Sequence, residues 1–328
     1  MKRFLFPLLT VVFCVVIVFA CIEVYVRVVV DTGMQFDLEM WKYAKEVKEV
    51  DPDPLIGHRH APDRSALLMG VRVTTNSHGF RGDREFAYEK PPGVLRIVML
   101  GDSFTEGWGA PEEETFSKRI ERRYNEQGIK AEVINTGVGN YNTIQEVELF
   151  LTDAYRFHPD IVVLNFAFND AEPVPHEKSP SFVMRYCYSC IFLMGRYDAL
   201  KRMVFGGQDW AEYYLGLFGD GTTPGWLGAK AALKRLADYC KQNNIKLLVA
   251  NHPELHDVKN YRFQKITDFI RGAAAENNVA FVDLLPYLRD QDSASLWVTP
   301  PDPHPNGFAH KFLADGIFQA LEELRKAL

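Results

Sequence analysis

The stretch LRIVMLGDS, residues 95–103, decides how the chain is interpreted. Its first six residues form a short, almost entirely apolar run, which is typical of a strand buried on both faces of a sheet. The run stops at Gly101-Asp102-Ser103, and small or acidic residues after a strand are ordinary turn residues. Ser103 is therefore either a turn residue or a hydroxyl held at the edge of a sheet, and the rest of the chain must distinguish the two.

Four further runs resemble residues 95–100, and they alternate with amphipathic stretches of helical period. The predicted strands after the first are residues 131–134, 161–166, 246–250 and 279–284. The predicted helices are residues 115–127, 143–157, 227–242, 261–277 and 308–328. Strands that alternate with helices predict a three-layer α/β domain, in which a central five-stranded parallel sheet is covered on both faces.

The N-terminus has the composition of a membrane segment. Nineteen uncharged residues, 4–22, follow Lys2 and Arg3, and this is long enough to cross about 30 Å of hydrocarbon as a helix. The two basic residues favour the cytoplasmic side, so residues 1–30 are predicted to be a retained single-pass anchor with a periplasmic or extracellular catalytic domain. The alternative is a cleaved signal, and residues 18–21 faintly resemble a lipoprotein processing site.

The remaining chain divides into three predicted parts. Residues 31–90 are polar, irregular and interrupted by prolines, with one alternating stretch at residues 71–74 that predicts a short strand, so we interpret them as a stalk and N-terminal extension packed on the main domain. Residues 91–328 form the catalytic domain. Within it, residues 171–224 are an aromatic-rich insertion, which is either a helical element with its own small core or a lid over an acyl or glycan pocket.

Composition excludes some partners and cofactors. The net charge of −6 argues against nucleic acid, because phosphate binding needs a concentrated basic face. Cys187 and Cys190 have CxxC spacing, which fits redox chemistry, half a metal site or a local bridge, and a structural disulfide is favoured. No histidine cluster has convincing metal-ligand spacing, so neither a metal nor another cofactor is predicted. The oligomeric state is not predicted.

Polar residues follow each predicted strand at the edge where a parallel sheet binds its ligands. Ser103 follows the first strand, and residues 135–140 (NTGVGN) follow the second strand. Asn169 follows the third strand, and Asp302 and His304 lie just before the last helix. An imidazole activates a serine hydroxyl as a nucleophile, and a carboxylate orients the imidazole. Backbone N–H groups and an asparagine amide stabilise the oxyanion of an acyl-transfer intermediate. The set therefore predicts acyl transfer.

These residues resemble the SGNH (GDSL-type) hydrolases. The motifs GDSF at 101–104, NTGVGNYNT at 135–143, FND at 168–170 and DPHPN at 302–306 occur in that family's order, over a resemblance from about residue 95 to the C-terminus. The resemblance implies a flavodoxin-like sheet, Ser103 as nucleophile, His304 as base and Asp302 as its orienting carboxylate. It also implies an oxyanion hole made by Ser103, Gly139 and Asn169.

Three positions depart from the family pattern. The glycine of the second motif aligns with Asn140 in many members, so Gly139 and Asn140 are both candidate oxyanion donors. Phe168 stands where glycine is common. Asp302 and His304 have DxH spacing in place of DxxH, so either Asp302 still reaches the imidazole or a backbone carbonyl replaces it.

The predicted function is that of a serine esterase or acylhydrolase acting on an acylated envelope glycan or lipid, with acetyl as one possible acyl group. One alternative is an O-acyltransferase that uses the same acyl-enzyme. Another is a catalytically silent, glycan-binding envelope protein. The α/β-hydrolase fold is disfavoured because its G-x-S-x-G elbow would need glycine where Thr105 stands.

Overall fold

The computed structural model describes residues 2–175, 182–205 and 209–326. The strands are β1 (Lys48–Val50), β2 (His58–His60), β3 (Ser65–Leu68), β4 (Val71–Thr74), β5 (Leu95–Leu100), β6 (Ala131–Asn135), β7 (Ile161–Phe166), β8 (Lys246–Asn251), β9 (Ala280–Asp283), β10 (Trp297–Thr299) and β11 (Asp302–Pro305). The α-helices are α1 (Lys2–Tyr25), α2 (Phe36–Glu46), α3 (Ser103–Glu106), α4 (Phe116–Glu126), α5 (Thr143–Thr152), α6 (Phe182–Tyr186), α7 (Tyr188–Phe205), α8 (Trp210–Phe218), α9 (Pro224–Gln242), α10 (Gln264–Glu276), α11 (Leu285–Leu288) and α12 (Gly307–Arg325).

The central sheet is parallel and has the strand order β6-β5-β7-β8-β9. This is the flavodoxin-like order, and it confirms the predicted α/β fold with five parallel strands. β5 and β7 are buried along their whole length, which explains why their sequences are continuously apolar. The strand order reverses at these two parallel strands, because the chain adds β6 on one side of β5 and then β7 on the other, and their carboxyl ends therefore border the crevice in which such sheets bind ligands.

Helices cover both faces of the sheet and form two separate cores. On one face, α5, α9 and α10 contribute Phe150, Leu233 and Ile270. On the other face, α4 and α12 contribute Phe116 and Leu313. The three layers leave the strand ends open, so the loops after the strands are free to carry functional side chains.

Residues 31–90 are more regular than the sequence predicts. They contain α2 and two antiparallel hairpins, β1–β2 and β3–β4. The face of α2 carrying Tyr43 packs against Leu68, Val73 and Trp108, so part of this extension shares a core with the loop that follows Ser103. Of these elements the sequence predicted β4; α2 and the other three strands were missed, because they are short and their apolar residues are few.

The N-terminal helix matches the predicted apolar segment. Phe6–Val30 is long and apolar enough to cross a membrane, although a signal sequence near an N-terminus has the same length and composition. α1 continues as a turn of π-helix over Val26–Val30. Only a small part of this helix is buried against the rest of the protein.

The insertion at 171–224 contains α6, α7 and α8, with residues 176–181 and 206–208 outside the described residues. Phe218 of α8 lies 6.2 Å from the ring of Phe166 and 5.4 Å from that of Trp226, within the main core. The aromatic residues of α8 therefore extend the core of the domain and do not form a separate one. A disulfide joins Cys187 and Cys190.

Candidate active site

Ser103 begins the short helix α3 directly after β5. Gly101 is required in this turn because a Cβ there would lie 2.0 Å from Thr105 Oγ1. Asp102 caps α3 by accepting a hydrogen bond from the N–H of Phe104 at 2.8 Å. Burial raises the pKa of Asp102, although this hydrogen bond opposes the rise. The turn thus holds Ser103 at the edge of the sheet with a fixed backbone.

His304 and Asp302 complete a chain of hydrogen bonds that starts at Ser103. The Ser103 Oγ lies 2.9 Å from His304 Nε2, and His304 Nδ1 lies 2.5 Å from Asp302 Oδ1. Asp302 is fully buried. Burial opposes its ionisation, but the hydrogen bonds from His304 and Trp108 outweigh burial and lower the pKa of Asp302. The arrangement keeps an ionised carboxylate behind the imidazole.

Strand geometry explains how the DxH spacing works. Asp302 and His304 both lie on β11, which pairs with β10. Side chains two residues apart on a strand point to the same face, so the carboxylate and the imidazole meet without a longer loop between them. Asp302 Oδ1 also accepts a hydrogen bond from the His304 N–H at 3.2 Å. The structure therefore places Asp302, and not a backbone carbonyl, against the imidazole.

The backbone N–H groups of the two candidate oxyanion residues, Gly139 and Asn140, differ in their hydrogen bonding. The N–H of Gly139 donates to the Tyr43 hydroxyl at 2.8 Å. Within the described part of the chain, the N–H of Asn140 has no such acceptor. Asn140 has a φ of 67°, which is the left-handed conformation that favours glycine, and this fits the glycine that the family resemblance implies at this position. Asn140 is thus the residue whose N–H is available.

Asn169 lies in the turn after β7. The Asn169 side chain forms a hydrogen bond with the Asp102 carboxylate, which opposes the rise in the pKa of Asp102. Asn169 therefore lies beside the turn that carries Ser103. Its Oδ1 atom is buried, and no hydrogen-bond partner for it is found among the described residues. Phe168, the departure from the family pattern, packs edge-on against Tyr214 of the insertion at 4.6 Å, so it serves the contact with α8.

Sequence reasoning missed the residues that surround these groups. Trp108 Nε1 donates to Asp302 Oδ2 at 2.8 Å, and the Phe36 ring stacks on His304 with centroids 6.4 Å apart. The Lys48 Nζ donates to the Gly139 carbonyl at 2.5 Å. Phe36 and Lys48 belong to the extension, which lies outside the matched motifs. The only available signal was Trp108, a tryptophan five residues after the candidate nucleophile.

A cavity of about 870 Å³ opens next to Asn140. The extension and the insertion both line it, through residues that include Trp41, Lys45 and Arg185. The cavity is large enough for a sugar ring or a short acyl chain. Ser103, Asn169 and His304 are not among its lining residues, so the cavity adjoins the turn at Asn140 and not the candidate nucleophile itself.

The other histidines near the strand ends have structural positions. His252 is buried and lies 3.0 Å from Asn165 Oδ1, and His310 Nδ1 accepts the N–H of Phe116. Burial lowers the pKa of each to about 3, so both are neutral near pH 7. Among the described residues, no group of three or more His, Cys, Asp or Glu side chains is placed to hold a metal ion.

The chain is similar to one protein family and to several solved structures. Residues 99–312 match the profile of the GDSL-like Lipase/Acylhydrolase family. Similar solved structures include TesA, at 14% identity and a TM-score of 0.45 over 70% of this chain and 99% of that chain. A lipase/acylhydrolase from Enterococcus faecalis has 14% identity and a TM-score of 0.45, over 70% and 96% of the two chains.

Axe2, an acetylxylan esterase from Geobacillus stearothermophilus, has 13% identity and a TM-score of 0.46, over 69% and 93% of the two chains. No curated protein matches the sequence. The family profile spans more than half of the chain, including Ser103, Asn140, Asn169, Asp302 and His304. The chain belongs to the GDSL-like lipase/acylhydrolase family.

Proposed function

We propose that the chain is a serine esterase that works through an acyl-enzyme. The observation that carries the proposal is the continuous path of hydrogen bonds from Ser103 Oγ through His304 to Asp302, with distances of 2.9 and 2.5 Å. A serine hydroxyl becomes nucleophilic when an adjacent imidazole accepts its proton, and a buried carboxylate holds that imidazole in one tautomer.

The proposed reaction has two steps. Ser103 Oγ attacks the acyl carbonyl while its proton passes to His304 Nε2, and the imidazolium then protonates the leaving alcohol. The acyl group remains on Ser103 as an ester. Water then attacks this ester as His304 accepts the water's proton, and the imidazolium returns that proton to Ser103 Oγ as the ester C–O bond breaks, which releases the carboxylic acid and restores the free hydroxyl.

The oxyanion is proposed to bind the N–H groups of Ser103 and Asn140 and the amide of Asn169. Asn140 is preferred to Gly139 because the N–H of Gly139 already donates to Tyr43. Both N–H groups are fixed in the backbone, so they need no reorganisation when charge develops.

The proposed location is outside the cytoplasmic membrane, with α1 as the anchor. Lys2 and Arg3 precede the apolar helix, and basic residues are retained on the cytoplasmic side. A site held outside a membrane by a short tether meets envelope components first. We therefore propose an acylated envelope glycan or lipid as substrate, with removal of an acetyl or another acyl group.

The test uses the full-length protein in detergent with a fluorophosphonate probe and p-nitrophenyl acetate. We expect labelling and ester hydrolysis, and both should be lost in Ser103→Ala. Ser117→Ala is the control, because Ser117 is buried, lies outside the candidate site, and its hydroxyl has no hydrogen-bond partner among the described residues. Labelling of Ser103→Ala at the normal rate would show that the nucleophile lies elsewhere.

Two further readouts separate the alternatives. Transfer of the acetyl group to an added sugar, at the expense of free acetate, would identify an acyltransferase. Binding of glycans without any labelling would identify a catalytically silent protein.

A further inference from the structure

The insertion carries an exposed apolar surface beside the N-terminal helix. Large apolar side chains that are about half exposed or more gather on α6 and α7, namely Val183, Tyr186, Leu193, Met194, Tyr197 and Leu200. Tyr197 is the most exposed of them, at 65%. Leu193, Tyr197 and Leu200 have the spacing i, i+4, i+7, so they share one face of α7. Several large apolar side chains exposed on one short segment mark a candidate interaction site.

The same helix is fastened to the end of the apolar anchor. The Glu23 carboxylate accepts hydrogen bonds from the N–H groups of Tyr188 and Ser189, at 3.1 and 2.8 Å, where α7 begins. Arg27 donates to the Tyr186 carbonyl at 2.7 Å and to Glu23 at 2.7 Å. A carboxylate at a helix N-terminus binds unpaired N–H groups and interacts favourably with the helix dipole.

The opposite side of α7 is already occupied by the extension. A Cβ on Gly195, about half a turn around α7 from Leu193 and Tyr197, would lie 2.4 Å from Asp37 Oδ2 of α2. Arg196, at the edge of the exposed face, reaches the same carboxylate at 2.8 Å. α7 is therefore held between the anchor and α2, and the face with Leu193 and Tyr197 is the one left uncovered.

We propose that this face of α7 rests in the outer interface of the lipid bilayer that α1 crosses. The occupant is lipid because α7 begins where the helix Phe6–Val30 ends and is tied to it by Glu23 and Arg27, and that helix itself needs an apolar surrounding. Exposed apolar side chains are more stable at the boundary between headgroups and acyl chains than in water, and tyrosine is enriched at that boundary. The inference rests on the proposed anchor and is independent of the proposed esterase activity.

The consequence is a fixed orientation of the catalytic domain. Because α2 packs on α7 and carries Tyr43, the membrane contact also sets the position of the cavity beside Asn140. The site then faces substrates held near the membrane surface.

The test measures how deeply α7 enters the bilayer in the full-length protein. Cys14, Cys21 and Cys240 are replaced by alanine, which leaves the disulfide Cys187–Cys190 intact. A nitroxide spin label is attached at Leu193→Cys or Tyr197→Cys, without reductant, and the protein is reconstituted in phosphatidylcholine and phosphatidylglycerol vesicles. Lys234→Cys on α9 is the control, because the Lys234 side chain is 62% exposed and lies on a charged surface.

We expect the labels on α7 to be relaxed more by oxygen than by a water-soluble nickel complex, and the label at residue 234 to show the reverse. Glu23→Gln should raise the access of nickel to residue 197, because a neutral amide binds the N–H groups of α7 less strongly. Equal nickel access at residues 197 and 234 in vesicle-bound protein would overturn the proposal. Failure of the protein to float with vesicles would overturn both the anchor and the proposal.

A second and independent inference concerns the peptide between Gly139 and Asn140. Its carbonyl accepts a hydrogen bond from Lys48 Nζ at 2.5 Å and lies 3.2 Å from His58 Nε2. The N–H of this same peptide is the one proposed to bind the oxyanion. In a trans peptide the C=O and the N–H point in opposite directions, so the ammonium group stands behind the donor.

We infer that Lys48 is a positioning residue that strengthens the Asn140 N–H as an oxyanion donor. A cation on a carbonyl draws electron density through the peptide, and hydrogen bonds in such a chain reinforce one another. The preceding peptide is held as well, because Tyr43 Oη accepts from the Gly139 N–H and lies 2.6 Å from His60 Nε2. The extension thereby fixes the oxyanion turn on both sides. This inference rests on the proposed function.

The test compares Lys48→Met and Lys48→Arg with Lys241→Met, which removes an exposed lysine charge on α9. We expect Lys48→Met to lower kcat for p-nitrophenyl acetate about 10-fold with KM unchanged, since the N–H remains but loses its polarising cation. Labelling by the fluorophosphonate should slow in parallel, and Lys48→Arg should recover most of both rates.

Normal kcat in folded Lys48→Met would overturn the inference. Equal losses in Lys48→Met and Lys48→Arg, each with a lowered Tm, would also overturn it by indicating a purely structural role. A wild-type protein that neither labels nor hydrolyses would overturn the proposed function itself, together with this inference.

Discussion

Trp108 and Asp302 are joined by a hydrogen bond across 194 residues of sequence, from the indole Nε1 to the carboxylate Oδ2 at 2.8 Å. The other oxygen of Asp302 faces His304. Both oxygens of this buried carboxylate are therefore occupied, which fixes the plane of the carboxylate and with it the orientation of the imidazole. Trp108 also contacts Tyr43 of the extension, with ring centroids 5.5 Å apart.

Replacing Trp108 by phenylalanine should weaken catalysis mainly at low pH. Burial raises the pKa of Asp302, and the donors His304 and Trp108 more than reverse this, so loss of the indole N–H moves the pKa upward. The carboxylate is then protonated at a higher pH. The acid limb of the plot of kcat/KM against pH should therefore shift to higher pH. A hydrogen bond to a charged group contributes about 1.5–3 kcal/mol, so we expect kcat/KM to fall by about 10-fold or more.

The control for this variant is Trp226→Phe. Trp226 is equally buried, but it lies in the core formed by α9. Both variants lose similar volume, and only Trp108→Phe should shift the pH profile. A shift of equal size in Trp226→Phe would contradict a specific role for the indole N–H.

Asp302→Asn should reduce kcat strongly while leaving the fold intact. The amide has nearly the size of the carboxylate, but it stabilises neither the imidazolium nor a single tautomer of His304. For comparable triads such a change costs about 10⁴-fold in kcat, and we expect a loss of about 10² to 10⁴-fold here. The measurement is the single-turnover rate of acyl-enzyme formation, with circular dichroism to verify folding. Retention of more than a tenth of the rate would mean that Asp302 has no catalytic importance.

The elements that could be predicted from the sequence are those with a clear local pattern of apolar residues. The strands of the central sheet are continuous apolar runs, and their predicted bounds agree with the structure to within a residue or two. β11 was not foreseen because it contains Pro303 and Pro305, and proline normally excludes a strand. The same-side placement of Asp302 and His304 depends on that strand, so the DxH spacing looked like a defect.

Tertiary contacts account for the remaining differences. Tyr43 and Lys48 reach the oxyanion turn across more than 90 residues of sequence, through hydrogen bonds to Gly139. No spacing rule connects such distant positions. α2 itself was missed because the polar residues around Tyr43 conceal the apolar face that packs on Trp108.

Variants at Gly139 and Asn140 should separate the two candidate oxyanion residues. Asn140→Gly keeps the N–H and suits the left-handed backbone, so kcat should stay within about 3-fold of the parent value. In Gly139→Ala, the new Cβ would lie 2.7 Å from Tyr43 Cε1, and the turn must move. We expect a large loss of kcat and a lower Tm. Equal loss of kcat in both variants would indicate that the Asn140 side chain itself takes part.

A pair of buried carboxyl groups should make stability depend on pH. Burial, and next the charge of Asp170, raise the pKa of Glu146 well above its usual value. Burial and the charge of Asp102 do the same for Asp170. Both oxygens of Glu146 are buried, and neither has a hydrogen-bond partner within the described residues. The folded state therefore favours neutral carboxyl groups at this position.

The sign of the effect follows from proton linkage. Between the unfolded pKa of about 4.3 and the higher folded pKa, the folded state binds more protons than the unfolded state. The contribution of this carboxyl group to the free energy of unfolding is fully present below the unfolded pKa. It is lost as the pH rises from the unfolded pKa through the folded pKa, by at most about 1.4 kcal/mol per pH unit for one proton. Glu146→Gln removes the titrating group and keeps the shape, so it should flatten the dependence of Tm on pH between about pH 5 and 8.

Glu89→Gln serves as the control, because Glu89 is exposed and the substitution should leave the slope of Tm against pH unchanged. The informative quantity is the difference in Tm between Glu146→Gln and Glu89→Gln, followed across the pH range. We expect this difference to grow in favour of Glu146→Gln as the pH rises, because the wild-type carboxyl must either stay protonated at increasing cost or ionise without a partner. A constant difference would mean that Glu146 has the same pKa in the folded and unfolded states.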